Sequence, residues 1–546
     1  MIRERIEEAV REALLRQGYE GQSSWTIERP RDMAHGDYST NAALVGKVDP
    51  QELGSKLRSL LSSTEVEKVE VAGKFINFYL SPKELRSALV PKEEQASQHN
   101  AGKTILIEYT SPNLFKPLHI GNLVGNILGE ANARLLERSG AAVKRINYPS
   151  DIGLTVAKGV WGLRTLGLDP SDIAQLGQAY VAGNAAYEDG SAKGEIESIN
   201  KALYENTDPK LSTLRARGID TSRKHLDDLC ARLGTTFDRE FFESRSGPVG
   251  TALVRENMGT VFEDSDGAVV YRGEQDGLHT RVFLNSQGLP TYEAKDLGLL
   301  KFKLDAYPDF AVTITDTGPE QQEYFKVLYA AAKKVLPQLQ GKELRHTIHG
   351  YLKLTTGKMS SRLGNVITGE SLIAELMEES RAKMQDRDIQ NKEKIAEQVA
   401  VGAIKYAVLK QGSGKDIIFD ADKSLSLEGD SGPYLQYAHV RAVSLLKKLH
   451  EAGIEPGASD APQTVGTLER VLVHYSDAVS RAAKELEPHY LATFLTELAA
   501  AFNSWYAGER VIGGEHPHYG ALLTAAVERT LREGLETLGI PVPEEM

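Results

Sequence analysis

The chain has 546 residues, a formal net charge of −12 and a single cysteine, Cys230, so it is too long for one hydrophobic core and we expect three domains. One cysteine excludes a disulfide framework and a structural zinc site built from several thiolates. The acidic charge argues against a protein coated in nucleic acid but permits a local basic patch for RNA, and without a signal-peptide or membrane-spanning run we expect a cytoplasmic protein.

Residues 1–95 predict a separate α+β domain, followed by a polar linker at 91–102. Apolar residues at helical spacing from Ile2 to Leu14 indicate an amphipathic first helix. Residues 74–80 alternate as a strand does, and one face carries Ile76, Phe78 and Leu80. The other face carries Phe75, Asn77 and Tyr79, which either stack on and hydrogen-bond an unpaired base or fill a second small core.

A strand, a loop and a helix start follow one another at residues 104–126, where the loop and helix start read SPNLFKPLHIGNLVGN. Pro117 suits the first helical turn, and free N–H groups at a helix N-terminus attract phosphate. His119 and Asn122 share a face, with Lys116 just ahead of them. His119 is therefore either a helix cap or a phosphate ligand.

Glycine recurs every fourth residue in the same helix, at Gly121, Gly125 and Gly129. This spacing leaves a bare stripe along which a flat ring or another backbone can approach. The interleaved apolar residues form a second stripe, so the helix is predicted to pack on a sheet.

The next parallel strand is predicted at residues 144–148, with Asp151 after its end. Functional side chains of doubly wound sheets collect at the carboxyl ends of strands. From about Trp161 to Arg272 the pattern is helical, acidic and interrupted by glycines. We therefore expect a helical insertion at about 161–275.

Two later segments lead to polar side chains. Tyr292 and Asp296 are four residues apart and share a face on a helix. Residues 310–315 form a near-continuous apolar run, which indicates a buried parallel strand ending at Asp316. Gln321 lies at the start of the helix beyond.

A loop at residues 355–365 holds glycines, hydroxyls and two cations, after a strand predicted around residues 347–351. Such a loop is either a mobile phosphate clamp or a solvated surface loop.

From about Asn391 onward the pattern is almost wholly helical, and we expect no further units of strand, turn and helix. One of them opens at residues 429–439 and carries Tyr437 and Arg441. Basic and aromatic side chains together fit either RNA contact or a solvated face with tyrosines in the core.

Two of these stretches, HIGN at His119 and KMSSR at Lys358, resemble the two signature sequences of class I aminoacyl-tRNA synthetases. Their surroundings narrow the resemblance to the arginyl-tRNA synthetase family, because its blocks are similar to SPNLFKPLHIGN, LPTYEAKDLG, KMSSRLGNVIT and GPYLQYAHVR. HGDYSTNAAL, GKFINFYL and the terminal LGIPVPEEM are similar as well. The resemblance covers nearly the full chain and is weakest in the insertion.

The resemblance implies an α/β Rossmann-type catalytic domain of the HIGH/KMSKS class I type, an N-terminal α+β domain and a C-terminal all-α anticodon-binding bundle. The implied boundaries are 1–95 for a domain that binds the tRNA elbow, 96–390 for the catalytic domain and 391–546 for the bundle. The catalytic domain would include the insertion at about 161–275 and the KMSKS-like loop at 355–365.

The resemblance also implies an AMP-forming arginine–tRNA ligase. The carboxylate of L-arginine attacks the α-phosphate of ATP, pyrophosphate leaves, and the arginyl group passes to the terminal ribose of tRNA(Arg). We expect ATP as its Mg²⁺ complex, no protein-bound metal, no membrane partner and a monomer. A catalytically inactive tRNA-binding paralogue is the alternative, supported by HIGN and KMSSR; a related nucleotidyltransferase would leave the two outer domains without a task.

The roles of the family's residues are implied for the matching positions here. The implied catalytic residues are Lys116, His119, Asn122, Lys358, Ser361 and Arg362. The implied ATP-binding residues are Gly121, His349, Gly350, Met359 and Ser360. Arginine would contact Glu108, Asn113, Tyr292, Asp296 and Gln321, and tRNA would contact Asn77, Tyr437 and Arg441.

Three departures from the family pattern matter. Asn122 replaces the second histidine of the first signature and donates a hydrogen bond without carrying charge. Ser361 replaces a lysine of the second signature, so the cation for pyrophosphate must come from elsewhere, first from Lys116 and second from Arg362. Leu154 and the next residue stand where a glutamine is usual, which leaves that part of the pocket unassigned.

Overall fold

The computed structural model describes residues 2–19, 25–90, 98–116, 118–355, 367–384 and 390–546. Contacts within the chain group its residues into two compact units. The first unit comprises Met1–Gln98, Ser426–Glu536 and Val542–Met546, and the second comprises His99–Leu425 and Thr537–Pro541. The division into three domains at residues 95 and 390 stays a proposal.

The described part of the first unit begins with an antiparallel sheet in the order β1-β2-β4-β3. Its strands are β1 (Ile27–Glu28), β2 (Tyr38–Thr40), β3 (Val66–Ala72) and β4 (Phe75–Leu80). Its helices are α1 (Ile2–Leu15), α2 (Ala42–Gly46), α3 (Pro50–Leu60) and α4 (Pro82–Ser87). Ile76, Phe78 and Leu80 of β4 are buried in one core with the apolar faces of α1 and α3. The predicted α+β fold and the alternation in β4 are confirmed.

The second unit contains the α/β structure. Its strands are β5 (Thr104–Glu108), β6 (Ala142–Asn147), β7 (Arg239–Glu240), β8 (Glu263–Ser265), β9 (Ala268–Tyr271), β10 (Arg281–Leu284), β11 (Val312–Thr317), β12 (Glu343–Ile348), β13 (Leu352–Leu354) and β14 (Ile417–Phe419). Its helices are α5 (Ile120–Arg138), α6 (Leu154–Leu166), α7 (Ile173–Glu188), α8 (Lys193–Glu205), α9 (Pro209–Leu233), α10 (Glu243–Glu256), α11 (Tyr292–Ala306), α12 (Gln322–Val335), α13 (Gly369–Lys383), α14 (Lys392–Leu409) and α15 (Ala421–Ser424).

Within the described ranges, five strands form a parallel sheet in the order β12-β11-β5-β6-β7. The chain runs from β5 outward to β7 and then returns to the opposite side of β5 at β11. The strand order therefore reverses between β5 and β11, and ligands of such sheets bind at this point, beyond the carboxyl ends of the strands. Leu106 and Ile146 of the sheet pack with α11 and α12 in a buried core, as predicted for a Rossmann-type fold.

The segment between β6 and β10 departs from the prediction of helices alone. It supplies α6 to α10, but β7 joins the parallel sheet, and β8 and β9 form an antiparallel sheet with β10. Strands of two to four residues are too short to show a period. The turn of the β8–β9 hairpin is Asp266-Gly267, with φ of 53° and 81°, and this dipeptide is a hairpin signal that the sequence offered.

The described chain after Asn391 is almost wholly helical, as expected, and departs from an all-α region at the three-residue strand β14, which pairs in parallel with β13. Three residues carry no readable pattern, and their pairing partner lies far earlier in the chain. Tertiary contact therefore decided this strand.

The first unit resumes as helices α16 (Gly432–Glu451), α17 (Thr467–Leu472), α18 (Tyr475–Glu485), α19 (His489–Gly508) and α20 (Pro517–Thr537). Within this unit they pack on the N-terminal sheet. The Tyr38 hydroxyl donates to Asp477 at 2.7 Å, and Arg470 pairs with Asp37 at 2.7 Å. The helical C-terminal region is confirmed, and it shares one compact unit with the N-terminal sheet.

Candidate active site

The carboxyl edge of the parallel sheet carries several of the predicted site residues. Glu108 ends β5 and is level with Thr315 of β11. Asp316 of β11 is level with Thr347 of β12, and His349 follows β12 directly. The ends of three adjacent strands therefore bring these side chains to the point where the strand order reverses.

Helix α5 begins at Ile120, with His119 as its N-cap, and so begins later than predicted. His119 Nδ1 accepts from the Gly121 N–H at 3.0 Å, and Asn122 Oδ1 accepts from the His119 N–H at 3.1 Å. This reciprocal capping sets the first turn. A neutral imidazole that accepts at Nδ1 carries its proton on Nε2, so His119 caps the helix and still offers a donor. Pro117 lies outside the described residues.

Lys116 lies in the loop ahead of α5, close enough to His119 for its charge to act. Burial and the positive charge of Lys116 lower the pKa of His119, so the imidazole is neutral at pH 7. Lys116 Nζ lies 5.9 Å from the centre of the Tyr180 ring on α7. A cation and a neutral donor therefore lie together at the positive end of α5.

The glycine stripe of α5 borders rings of the protein itself. A Cβ at Gly129 would lie 2.1 Å from Cγ of Tyr109, so that ring fills the stripe there. A Cβ at Gly125 would lie 3.2 Å from Nε2 of His349. The close approach predicted by the spacing is therefore met within the chain at both positions.

His349 and Gly350 form the turn after β12. His349 Nε2 lies 4.0 Å from Oδ2 of Asp316, and burial raises the pKa of that carboxyl to about 6. A Cβ at Gly350 would lie 2.0 Å from the Lys415 carbonyl oxygen. Close packing against the backbone of Lys415 therefore explains why this position is a glycine, independently of any ligand.

The Asp296 carboxylate is the strongest electrostatic feature of the site. It lies on α11, on the helical face predicted from Tyr292, and accepts a hydrogen bond from the Tyr324 hydroxyl at 2.5 Å. Burial, reinforced by the negative charge of Glu108, raises the pKa of Asp296 to about 8. In the described part of the chain Asp296 forms no ion pair within 4 Å.

The carboxylates around Asp296 each have a cation. Lys303 Nζ lies 2.6 Å from Glu108, and Lys295 Nζ lies 2.6 Å from Glu243. All four side chains of these two pairs are at least 93% buried. Asp151 is bound by Arg215 at 2.6 Å and by Ser244 Oγ at 2.6 Å.

These partners were not predicted from the sequence. Lys303 follows Asp296 by seven residues and so lies on the same helical face, which is a signal that periodicity could have shown. Glu243 and Arg215 lie in the insertion, where sequence spacing relates them to no residue of the sheet.

The other residues predicted to contact arginine are Tyr292, Asn113 and Gln321. Tyr292 is 60% exposed and lies one turn before Asp296. The backbone of Asn113 pairs with Ser150, which extends the β5–β6 ladder into the loop. Gln321 caps α12. Their roles toward a ligand stay predictions.

The second signature lies outside the described residues. It comprises Lys358, Met359, Ser360, Ser361 and Arg362. Their assignments stay predictions.

In the first unit, Asn77 does not lie on an open face. It is 3% exposed and accepts a hydrogen bond from Ser39 Oγ at 2.8 Å. Phe75 beside it is 49% exposed. A surface pocket here is lined by Asn77 and Phe75 together with Arg29, Arg31 and His35. One exposed ring and the side chains of two arginines therefore line this pocket.

Tyr437 and Arg441 are in contact on α16. The guanidinium carbon of Arg441 lies 4.8 Å from the centre of the Tyr437 ring and 5.3 Å from that of Tyr506. The Arg441 guanidinium also donates to Asn503. The structure therefore adds Tyr506 and Asn503 of α19 to the contacts of Arg441.

The described ranges contain no group of three or more His, Cys, Asp or Glu side chains that could hold a metal ion. No helix among them is long and apolar enough to cross a bilayer.

Three family descriptions match the chain in succession. Residues 84–421 match "tRNA synthetases class I (R), catalytic domain", residues 435–546 match the DALR anticodon binding domain, and residues 1–80 match the arginyl tRNA synthetase N terminal domain.

Curated relatives and solved structures agree with these matches. The chain is 31% identical to the arginine–tRNA ligase of Streptococcus mutans and 28% identical to that of an Exiguobacterium species, covering 95% of both chains in each case. It matches the structure of Thermus thermophilus arginyl-tRNA synthetase with a TM-score of 0.83 at 28% identity over 100% of both chains. The Plasmodium falciparum arginyl-tRNA synthetase shares the fold, with a TM-score of 0.82 at 19% identity over 100% of this chain and 99% of the other. The chain therefore belongs to the arginyl-tRNA synthetase family.

Proposed function

We propose that the chain joins L-arginine to the 3′-terminal ribose of tRNA(Arg) in two steps. In the first step an arginine carboxylate oxygen bonds to the α-phosphorus of ATP, and pyrophosphate leaves. In the second step a ribose hydroxyl bonds to the arginyl carbonyl carbon, and AMP leaves. Family membership and the chemistry of the two ends of the cleft support this proposal.

The observation that carries the proposal is the unpaired Asp296 carboxylate. Glu108 and Glu243 beside it have lysine partners, whereas Asp296 has the neutral Tyr324 hydroxyl. A desolvated carboxylate that has no cation in direct contact is costly to ionise, which is why the pKa of Asp296 is raised to about 8. A guanidinium brings a delocalised charge and a planar fork of donors that matches a carboxylate. Arginine therefore completes the charge balance of this pocket.

The other predicted contacts complete the arginine site in the proposal. Tyr292, one turn before Asp296, would contact the guanidinium with it. Asn113 and Gln321 would bind the amino and carboxyl end of the ligand. Glu108 is already paired with Lys303, so its contribution would be negative charge near the ligand and the orientation of that lysine.

At the other end of the cleft, α5 would bind the phosphates. The first step gathers negative charge on phosphate oxygens, and donors fixed in advance stabilise it most. Lys116 would supply the cation, His119 the Nε2–H donor and Asn122 its amide nitrogen, because the Asn122 oxygen is engaged in the cap. Lys358, Ser361 and Arg362 would act from the second signature.

ATP is proposed to bind between α5 and the turn after β12. Gly121 would let adenine lie against the helix, and His349 with Gly350 would line the adenine pocket. The contact of the His349 ring with the bare face of α5 at Gly125 supports a place for this side chain beside the nucleotide. Met359 and Ser360 would complete the nucleotide site. ATP would enter as its Mg²⁺ complex, which is part of the substrate.

We assign tRNA contact to both parts of the first unit. The pocket beside Asn77 would bind the elbow of tRNA, and the Tyr437–Arg441 cluster would contact the anticodon side, since rings and guanidinium groups stack on bases. Domains at 1–95, 96–390 and 391–546, a monomeric state and a cytoplasmic location belong to the same proposal.

Radiolabelled arginine transfer tests the proposal. Purified protein, tRNA(Arg) and labelled arginine should give acid-precipitable label only with ATP present. Labelled citrulline, the uncharged isostere of arginine, should give none, because its neutral side chain offers no cation to the Asp296 carboxylate. A folded protein that binds tRNA(Arg) but transfers no arginine would favour the inactive paralogue instead.

A further inference from the structure

The loop between β5 and α5 has an unusual backbone. Thr110, Ser111 and Phe115 have φ of 72°, 35° and 66°, a region that residues with a Cβ rarely adopt. Such conformations persist where surrounding contacts over-determine them, and they concentrate at functional sites. Some part of the structure therefore must hold this loop in place.

The contacts that hold it come from the helical insertion. Phe115 is 1% exposed and lies in one apolar core with residues of α6 to α9. Its N–H donates to Ser222 Oγ of α9 at 3.1 Å, and Ser222 is itself 6% exposed.

Two glycines make the space for the Phe115 ring. A Cβ at Gly159 of α6 would lie 2.6 Å from Cδ1 of the ring, and a Cβ at Gly218 of α9 would lie 2.3 Å from its Cζ. Neither position tolerates a side chain while the ring is in place. We call Phe115, Gly159, Gly218 and Ser222 the Phe115 socket.

Lys116 follows Phe115 directly in the chain. The Phe115 socket therefore fixes the position of the peptide bond that leads into Lys116. Tyr180 of α7, another insertion helix, lies 5.9 Å from Lys116 Nζ. The insertion thus contacts the side chain of Lys116 through Tyr180, and it holds the preceding residue, Phe115, in the socket.

We propose that the helical insertion positions Lys116 for the adenylation step and that Phe115 is the positioning residue through which it acts. This rests on the proposed role of Lys116 as the phosphate cation. A displacement of the order of 1 Å in a catalytic group costs about a hundredfold in rate, so loss of the ring should reduce turnover and spare arginine affinity.

ATP–pyrophosphate exchange measures the step directly. Phe115→Ala should lower kcat about a hundredfold with the arginine KM changed less than about threefold, and Phe115→Leu should restore most of kcat. Gly218→Ala should lower kcat by displacing the ring, whereas Gly194→Ala, at an insertion glycine with open space around it, should not.

Two double variants separate positioning from general damage. Gly218→Ala should cost nothing further in a Phe115→Ala background, because the methyl group then meets no ring. Phe115→Ala should cost nothing further in a Lys116→Ala background. Should Phe115→Ala fail to fold by circular dichroism, Gly218→Ala carries the same comparisons, alone and in a Lys116→Ala background.

The outcomes distinguish this inference from the proposed function. Near-normal exchange by Phe115→Ala and Gly218→Ala, with Lys116→Ala inactive, overturns the positioning role alone. Independent, multiplying losses from Phe115→Ala and Lys116→Ala also overturn it. Normal exchange by Lys116→Ala overturns the proposed role of the lysine itself.

Discussion

The two ends of the cleft are built on different physical principles. At the amino-acid end, buried charges are paired one to one, Glu108 with Lys303 and Glu243 with Lys295, and Asp296 is left over. At the phosphate end, the groups are a neutral His119, a capped helix start and a loop in a strained conformation. At the amino-acid end, the proposed ligand supplies the cation that Asp296 lacks within the described part of the chain. At the phosphate end, the ligand would be bound by donors whose positions the backbone sets.

This difference explains why the ends should respond differently to substitution. Removing one charge from a buried set leaves another unpaired, so affinity or stability changes. Removing a donor placed for the transition state changes rate more than affinity.

Lys116→Ala should have the largest effect, a loss of about 10²–10³ in kcat for ATP–pyrophosphate exchange, because the cation for the departing pyrophosphate is lost. Binding of arginine and tRNA should persist, measured by calorimetry and by filter binding. Lys201→Ala, an exposed lysine of α8 paired with Glu205, is the matched control. Near-normal turnover would transfer the role to Arg362 or Lys358.

Asp296→Ala should raise the arginine KM by about 10²–10⁴, since breaking a desolvated charge pair costs about 3–5 kcal/mol. The ATP KM should change little, because the nucleotide contacts lie at the other end of the cleft. Asp305→Ala, on the same helix but at an exposed pair with Lys301, is the control. An arginine KM unchanged by Asp296→Ala would disprove the assignment of the guanidinium site.

Lys303→Met should destabilise the fold by about 3–5 kcal/mol, because Glu108 would keep a buried charge without a partner. Urea denaturation followed by circular dichroism measures the loss. Lys301→Met removes an exposed pair on the same helix and should cost less than about 1 kcal/mol. Equal losses of stability from Lys303→Met and Lys301→Met would show that burial does not determine how much the ion pairs of α11 contribute.

The arginine KM should depend on pH. With the pKa of Asp296 raised to about 8 and binding selective for its ionised form, the KM should fall as pH rises from 6.5 and level off above about 8. The slope below that pH approaches about tenfold per unit. The KM of Asp296→Asn, measured by initial rates over the same range, should lack this slope. A flat wild-type profile would contradict the raised pKa.

Relations between residues of one helix or one strand could be predicted from the sequence. Tyr292 and Asp296 share a helical face, and Ile76 and Phe78 of β4 point into the core, because both relations depend only on the period of one element. The start of α5 was misjudged by a few residues, since His119 and Asn122 form a cap whose geometry the letters do not display.

The sequence by itself determined the class of protein, because the signature stretches and helix and strand periods are local properties, readable in order along the chain. The tertiary structure alone decided which charges are paired. It also decided that Phe115 lies between Gly159 and Gly218, and that β14 joins β13. These relations join residues distant in the chain, and long-range packing, rather than spacing, sets the distance between them.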